Sequence, residues 1–491
     1  MTPSKYQQAI YDFVAHGEGN AIVRAVAGSG KTTTLVESLK LTQGNGIFLA
    51  FNKSIAETLK ARCPQNVQAR TFHSLCYSPV LKAVGARVVN PDKLSNIIQL
   101  AMTEQEVKLY GSFVKRLVGL ARNAGIGALT SDDGALFYAL VEHHDLTLEN
   151  EQASEAQAIE LARDVLSRSN ASREVDFDDL LYFAVLKGVR LPVFDWVFVD
   201  EAQDTNTIQR AILRKILAHG GRMVAVGDAA QAIYGFRGAD SDALEFLAQE
   251  FAPCVDLPLS VTYRCAKIIT QAAQKYVPEI EAAPGAAEGE VVDLGVNWEL
   301  KNFGSKDIVV CRNTKPLIEL GFRLLRARIP LHILGRDIGD GLCALIRKCD
   351  TRSGGIDKFV ERLEKWRDRE VEKAIGKKLE AKADAIEDKA ATLLMLVEQL
   401  PENKRTTLEL MSVIQTLFTD KNNSITLATV HKAKGLEADT VWWLAPSLCP
   451  SKWAKQPWQQ QQERNLMYVA ITRAAKRLVL IEPNKEKGEK S

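Results

Sequence analysis

Residues 21–33 read Ala21-Ile-Val-Arg-Ala25-Val-Ala27-Gly28-Ser29-Gly30-Lys31-Thr32-Thr33. The apolar run Ala21–Val26 predicts a short buried strand. A glycine-rich turn follows, and Thr33–Leu41 has helical spacing. Strand, glycine turn and helix in this order form a phosphate-binding loop. Glycines let backbone N–H groups converge on phosphate oxygens, and the helix N-terminus adds its positive dipole end. Lys31 is then expected to reach the β- and γ-phosphates and Thr32 to ligate Mg²⁺, with Ala27, Gly28, Ser29, Gly30 and Thr33 completing the cradle. The generic loop begins with glycine; here Ala25 takes that place.

Working outward, other short apolar runs repeat the strand signal: Gly46–Phe51, Trp196–Val199, Met223–Val226, Ile308–Cys311, Thr440–Leu444 and Leu478–Ile481. Helical patterns lie between many of them, which argues for parallel sheets of the α/β class. The runs fall before residue 230 and after residue 300, predicting two α/β cores in tandem. Residues 85–170 are dominated by helical periodicity (Leu94, Ile97, Ile98; Val114, Leu117, Val118) and read as a helical insertion in the first core.

Residues 357–389 hold 10 Lys/Arg and 10 Asp/Glu. Apolar positions Phe359, Leu363, Trp366, then Val371, Ile375, Leu379, then Ala383, Ile386, Ala390 keep helical spacing, so one long solvated helix with a thin apolar stripe is expected. The balanced charge argues against a phosphate-gripping arm.

A second chemical signal is Val197-Phe-Val-Asp200-Glu201-Ala202-Gln203-Asp204. A buried strand ends in two adjacent carboxylates, and strand ends carry the sites of open α/β sheets. Asp200 is the candidate Mg²⁺ ligand with Thr32, and Glu201 the candidate base for an attacking water.

Composition sets outer limits. The chain has 491 residues, enough for two to four domains, with 46% apolar and 25% charged residues and a formal net charge of +2. A protein that coats DNA is usually more basic; a motor gripping a few phosphates in one cleft need not be. The eight cysteines form no C-x-x-C pair, which excludes the usual zinc and iron–sulfur spacings and suits reduced core thiols. No signal peptide or 18-residue apolar stretch is read, so a cytoplasmic protein is expected, bacterial or in a phage-infected cell.

Together the blocks resemble the UvrD/Rep group of superfamily 1 DNA helicases. Gln7 matches the group's N-terminal Q motif, and Phe51-Asn52-Lys53 and Thr71-Phe72-His73-Ser74 its first DNA-contact motifs. Val226-Gly-Asp228 through Gln231, Tyr234, Phe236, Arg237 and Asp240 match the third motif. Tyr263-Arg264, Thr429-Val-His431-Lys432-Ala-Lys434-Gly435-Leu436-Glu437 and Tyr468 through Thr472-Arg473 match the fourth, fifth and sixth. Ala50–Ala56 and Thr71–Leu75 look especially like the helicase part of the F-box DNA helicases. The matches run in fixed order from residue 7 to 474.

The resemblance implies two tandem RecA-like parallel-sheet cores of the P-loop NTPase type with helical insertions. Their bounds would be 1–84 plus 171–258 for the first core and 259–334 plus 423–484 for the second. Insertions would fill 85–170 and 335–422, with a frayed tail at 485–491. It implies ATP and Mg²⁺ as cofactors. Lys31, Asp200, Glu201, Gln231, Arg264 and Arg473 would be catalytic, the two arginines meeting transition-state charge. Tyr263 would stack on adenine, Gln7 bond its edge and Glu437 meet the ribose. Thr33 stands where many relatives have an arginine beside the base, and Ala438 where many have an aromatic.

Phe51, Asn52, Thr71, Phe72, His73, Tyr234, Phe236, Arg237, His431 and Lys432 would contact single-stranded DNA by stacking and phosphate contacts. Of Trp442 and Trp443, alternation turns one to the core and leaves the other for the track or a helix. The implied function is 3′→5′ movement on single-stranded DNA and unwinding at duplex junctions, in repair, recombination or replication. Two other motors share these motifs: a translocase that strips bound proteins with little unwinding, and an RNA-remodelling ATPase. A non-enzymatic scaffold is disfavoured by the full catalytic set.

Overall fold

The computed structural model describes residues 3–50, 52–144, 146, 148, 153–235, 242–350, 355–376, 380–419, 424–452, 454 and 456–484. The chain divides into two compact units, Met1–Val261 and Thr262–Ser491.

The first unit is built on a six-stranded sheet of β1 (Asn20–Ala25), β2 (Gly46–Leu49), β3 (Val67–Arg70), β4 (Phe194–Val199), β5 (Leu217–Gly227) and β6 (Cys254–Leu259). Its order is β3-β2-β4-β5-β1-β6, and every neighbouring pair is parallel. A parallel sheet is covered on both faces, so its strands read as apolar runs. Successive side chains feed opposite layers. Ile22, Ile47, Leu49, Val197 and Val199 join one core cluster, whereas Val23, Phe48, Trp196, Phe198 and Val224 join another under the helix Lys31–Leu39.

Between β3 and β4 the chain is helical, with Phe72–Val84, Lys93–Ala101, Glu104–Ala124, Gly134–His143, Glu155–Ala171 and Phe177–Leu186. These helices share the first cluster with the sheet: Leu94, Val114 and Val165 pack in the same continuous core as Ile47 and Val199. Four buried charges tie them together. Arg122 donates to both oxygens of Asp176 (3.1 and 2.9 Å), and Lys93 donates to Asp179 at 2.6 Å. Asp176 also caps the helix Phe177–Leu186 by accepting from the Asp179 N–H.

The chain passes through a short strand pair, β7 (Val261–Thr262) with β8 (Glu281–Ala282). The second unit holds β9 (Glu290–Gly295), β10 (Ile308–Cys311), β11 (Leu331–Ile333), β12 (Ile425–Thr429), β13 (Ala438–Leu444) and β14 (Ala474–Ile481). Their order is β11-β12-β10-β13-β14-β9, again parallel throughout. Trp442 and Trp443 lie on opposite faces of β13 and are both buried, at 1% and 5% exposure. β13 is an interior strand with both faces covered, so neither tryptophan is left exposed for the track.

The charged segment 357–389 also departs from expectation. It is two helices, Gly355–Gly376 and Glu380–Gln399, rather than one. Phe359 and Leu363 are fully buried with Leu393 and Leu396 in the core of the unit, and Trp366 and Val371 pack with Ala374, Ala383 and Ile386. Ile375 is exposed, which breaks the expected stripe, and Leu379 lies outside the described residues. Asp388 accepts from the Thr314 and Lys315 N–H groups (3.2 and 3.1 Å), capping the helix Thr314–Arg326. All eight cysteines are free thiols. Among the described residues no helix is long and apolar enough to cross a membrane.

Candidate nucleotide and nucleic-acid sites

The strand order of the first sheet puts β4, β5 and β1 side by side, so their carboxyl ends bring three segments together. After β1 the chain turns through Gly28 (φ +70°) and Gly30 (φ +77°), conformations that favour glycine, and enters the helix Lys31–Leu39. The Ser29 hydroxyl is buried with no hydrogen-bond partner among the described residues. Gln7, in the helix Lys5–His16, donates from Nε2 to the Thr34 hydroxyl (3.1 Å) and so flanks this loop. Thr33 is exposed.

At the end of β4, Thr32 Oγ1 donates to Asp200 Oδ2 (2.8 Å), and Lys31 Nζ pairs with Glu201 Oε1 (3.0 Å). Burial and the adjacent Glu201 push the Asp200 carboxyl up to about 6, against the pull of Lys31 and the Thr32 hydroxyl. Burial draws the Lys31 ammonium down, but Glu201, Asp228 and Asp200 more than offset this and hold it above its ordinary value. Glu201 adopts the left-handed conformation (φ +53°), which costs a non-glycine residue about 1–2 kcal/mol and turns its carboxylate back toward Lys31. At the end of β5, Asp228 Oδ2 accepts from the Gln231 side chain (2.7 Å) and Oδ1 from the Ala230 N–H (3.1 Å).

These groups fit a magnesium nucleotide. The glycine turn and the orphaned Ser29 hydroxyl suit phosphate oxygens. Lys31 is kept charged. Thr32 and Asp200 offer two hard oxygen ligands, and no cluster of three His, Cys, Asp or Glu competes for a metal among the described residues. Mg²⁺ characteristically takes one or two protein ligands plus phosphate oxygens.

The expected DNA contacts start from the neighbouring strand ends. Asn52 caps the helix Lys53–Lys60, accepting from the Ile55 N–H at 2.9 Å, and Thr71 caps the helix Phe72–Val84, accepting from the Ser74 N–H at 3.1 Å. Phe72 faces inward and is packed in the core with Leu75, which removes it from the stacking set. The reason is helical phase: Phe72, Leu75 and Cys76 share the inner face, and exposed His73 and Tyr77 make the outer one. A groove of about 790 Å³ opens there, lined by Lys53, Lys60, Arg70, His73, Tyr77 and Phe177.

Burial holds the His73 imidazole below its ordinary value, with Asp178 pulling the other way. Phe177, 57% exposed, was not among the expected contacts. Spacing gave no signal for it: Phe177 is in phase with buried Leu180, Leu181 and Ala184, so periodicity alone would place it in the core, and it is exposed only because it opens the first turn after the Asp176 cap. Tyr234 is half-buried after β5; Phe51, Phe236, Arg237 and Asp240 lie outside the described residues.

In the second unit a separate cluster forms where β14 meets the helix Pro457–Ile471. Arg264 pairs with Glu437 and donates to the Thr472 carbonyl (3.1 Å). Arg473 is buried and donates to the carbonyls of Val469 and Leu436, both at 3.1 Å. Tyr263 beside them is 42% exposed. His431 and Lys432, just past β12, are half-buried. Four expected nucleotide-site residues, Tyr263, Arg264, Glu437 and Arg473, thus fall in or beside one cluster.

Comparison with known proteins agrees with this arrangement. Residues 6–252 match the UvrD/REP helicase N-terminal domain, and residues 346–485 the UvrD-like helicase C-terminal domain. F-box DNA helicase 1 of Gallus gallus is 27% identical, covering 93% of this chain and 47% of the relative. F-box DNA helicase protein 1 of Schizosaccharomyces pombe is 26% identical, covering 93% and 55%. The ATP-dependent DNA helicase PcrA of Staphylococcus epidermidis is 25% identical, covering 53% and 38%. The chain thus spans about half the length of the F-box relatives. With two parallel α/β cores and a nucleotide loop at the expected sheet edge, the chain belongs to the UvrD/REP helicase family.

Proposed function

We propose that this chain is an ATP-driven motor that moves 3′→5′ on single-stranded DNA and separates duplex at junctions, as a cytoplasmic enzyme of repair, recombination or replication. The observation that carries the reading is the pairing of Lys31 with Glu201 and of Thr32 with Asp200 on the sheet edge that also borders the His73–Phe177 groove. Hydrolysis needs a phosphate cradle, a metal ligand and a base in one place. A motor needs that place mechanically continuous with a grip on the strand.

In this reading the Gly28–Gly30 turn and Lys31 bind the phosphates. Bound Mg²⁺, held by Thr32 and Asp200, would neutralise charge on the β- and γ-oxygens. Glu201 takes the proton of the attacking water, and Gln231 senses the γ-phosphate. Arg264 and Arg473 are assigned the transition-state charge, Tyr263 and Gln7 the adenine, and Glu437 the ribose. Glu437 must then exchange its Arg264 partner for the sugar hydroxyl. Asn52, Thr71, His73, Tyr234, His431 and Lys432, joined by Tyr77 and Phe177, are assigned the DNA, with aromatic faces stacking on bases and cations on phosphates.

The test is ATP hydrolysis with and without single-stranded DNA, for wild type and Glu201→Gln. Stimulation by DNA that Glu201→Gln abolishes is expected; equal rates in both proteins with no stimulation would refute the motor. Duplexes tailed at either end then read polarity, RNA in place of DNA tests the remodelling alternative, and protein-coated against bare strand tests the stripping one.

A further inference from the structure

Gln203 lies two residues past Glu201 and is 1% exposed. A buried primary amide is unfavourable unless both its ends are satisfied. Its Oε1 accepts the Asp228 backbone N–H at 3.0 Å, and its Nε2 donates to Glu201 Oε2. The backbone donor fixes which way the amide faces: only oxygen can meet the Asp228 N–H, so the NH₂ end is committed to Glu201. The fit is close. A Cβ on Gly227 would lie 2.7 Å from Gln203 Oε1 and 2.9 Å from its backbone nitrogen, so the end of β5 must be glycine to admit the amide. Asp228 in turn accepts from the Gln231 side chain at 2.7 Å. One line of polar contacts therefore runs from Lys31 through Glu201, Gln203 and Asp228 to Gln231.

We propose that Gln203 is a positioning residue that aims the Glu201 carboxylate and joins it mechanically to the Asp228–Gln231 turn. The inference rests on the reading of Glu201 as the base. When Lys31 turns to nucleotide phosphates it releases Glu201 Oε1, and the Gln203 amide still holds Oε2. The carboxylate then keeps its direction when its ion pair is broken. Because the other end of the amide is pinned to Asp228, a shift of the Gln231 turn on meeting phosphate is transmitted to the base. A bulkier or non-donating residue at 203 leaves the nucleotide cradle intact but the base unaimed.

The test compares Gln203→Glu and Gln203→Met with Glu201→Gln in the full chain. Gln203→Glu keeps an acceptor for the Asp228 N–H but replaces the donor with a carboxylate oxygen that repels Glu201; Gln203→Met keeps much of the volume and removes both groups without adding charge. Steady-state ATP hydrolysis with single-stranded DNA reads kcat and KM, and a fluorescent ATP analogue reads binding. Positioning predicts that kcat falls by about 10- to 100-fold in both Gln203 variants, part of what a general base contributes. KM and analogue affinity stay within about twofold, since the cradle is untouched. Wild-type kcat in either variant, or KM and affinity weakening in step with kcat, would overturn the proposal. If Glu201→Gln itself hydrolyses ATP at the wild-type rate, the underlying assignment of the base falls instead. An inactive Glu201→Gln beside a fully active Gln203→Glu removes Gln203 alone.

Discussion

Arg122→Met would break the buried charge network under the DNA groove. The wild-type guanidinium donates to both oxygens of Asp176 and to the Ser169 hydroxyl (2.6 Å), and lies 3.4 Å from Asp179. Methionine keeps much of the volume and leaves the two carboxylates, among the described residues, with Lys93 as their buried cation. Removing one partner of a buried ionic network costs about 3–5 kcal/mol. For a unit of this size each kcal/mol shifts the melting temperature by about 2–4 °C, so a fall of about 6–20 °C is expected in circular-dichroism melts.

The loss has a definite pH sign. Burial raises the Asp179 carboxyl, and Arg122 is the largest force pulling it down. Without Arg122 it rises further, so the folded variant binds a proton more tightly than the unfolded chain, and the deficit is largest at high pH. It shrinks as pH falls and the Asp179 carboxylate neutralises. Melts at about pH 8 and about pH 5 check this; a deficit below about 1 kcal/mol, or one that grows on acidification, would refute the account of a network held by its cation. The Asp176 cap also starts the helix that presents Phe177, so single-strand affinity should weaken while ATP binding holds.

Phe177→Ala should weaken oligothymidine binding by about 1–3 kcal/mol, the value of one stacked base, and leave DNA-free hydrolysis unchanged; fluorescence anisotropy with unchanged affinity would exclude stacking there. With Asp200 raised to about 6, protons should compete with Mg²⁺, so magnesium-dependent nucleotide affinity should drop roughly tenfold per pH unit below that value. Titration showing no loss down to about pH 5 would show that Asp200 does not ligate the ion. Gly227→Ala should destabilise by about 1–3 kcal/mol in urea, because a Cβ at 2.9 Å from the Gln203 backbone nitrogen cannot be relieved by side-chain rotation. Wild-type stability in that variant would mean the β5 end yields more easily than its packing implies.

The sequence was most legible where burial is two-sided. Each of the seven apolar runs became a strand, because interior strands of a parallel sheet need apolar residues on both faces. The strands that escaped are of other kinds. β3 (Val67-Gln-Ala-Arg70) is an edge strand with alternating burial. β6 and β9 are edges carrying Asp256, Pro258, Glu290 and Asp293, and β11 has three residues. β12 (Ile425–Thr429) is interior but interleaves threonines with apolar residues, so it reads as a loop beside a motif. Helical spacing at 357–389 announced helices without showing that the chain folds back on itself. The apolar stripe specifies a face, whereas the hairpin depends on what that face meets.

For the site, the motifs named candidate residues but said little about direction. Phe72 and His73 are adjacent in one motif, yet one enters the core and the other borders the groove, a consequence of helix phase set by the Thr71 cap. Phe177 was passed over because it stands outside any block, though it lines the same groove from a helix more than 100 residues later. The larger gap concerns pairing. From sequence, Lys31 belongs to phosphate and Glu201 to water; in the protein they hold each other, and Glu201 accepts a left-handed backbone while doing so. Spacing cannot reveal this, because the contact spans 170 residues and depends on β1 and β4 both lying beside β5. In the proposed reading, nucleotide binding exchanges one ion pair for another. With Glu201 as the proposed base, the event that fills the cradle also uncovers it, which would make hydrolytic competence conditional on ATP rather than standing ready in its absence.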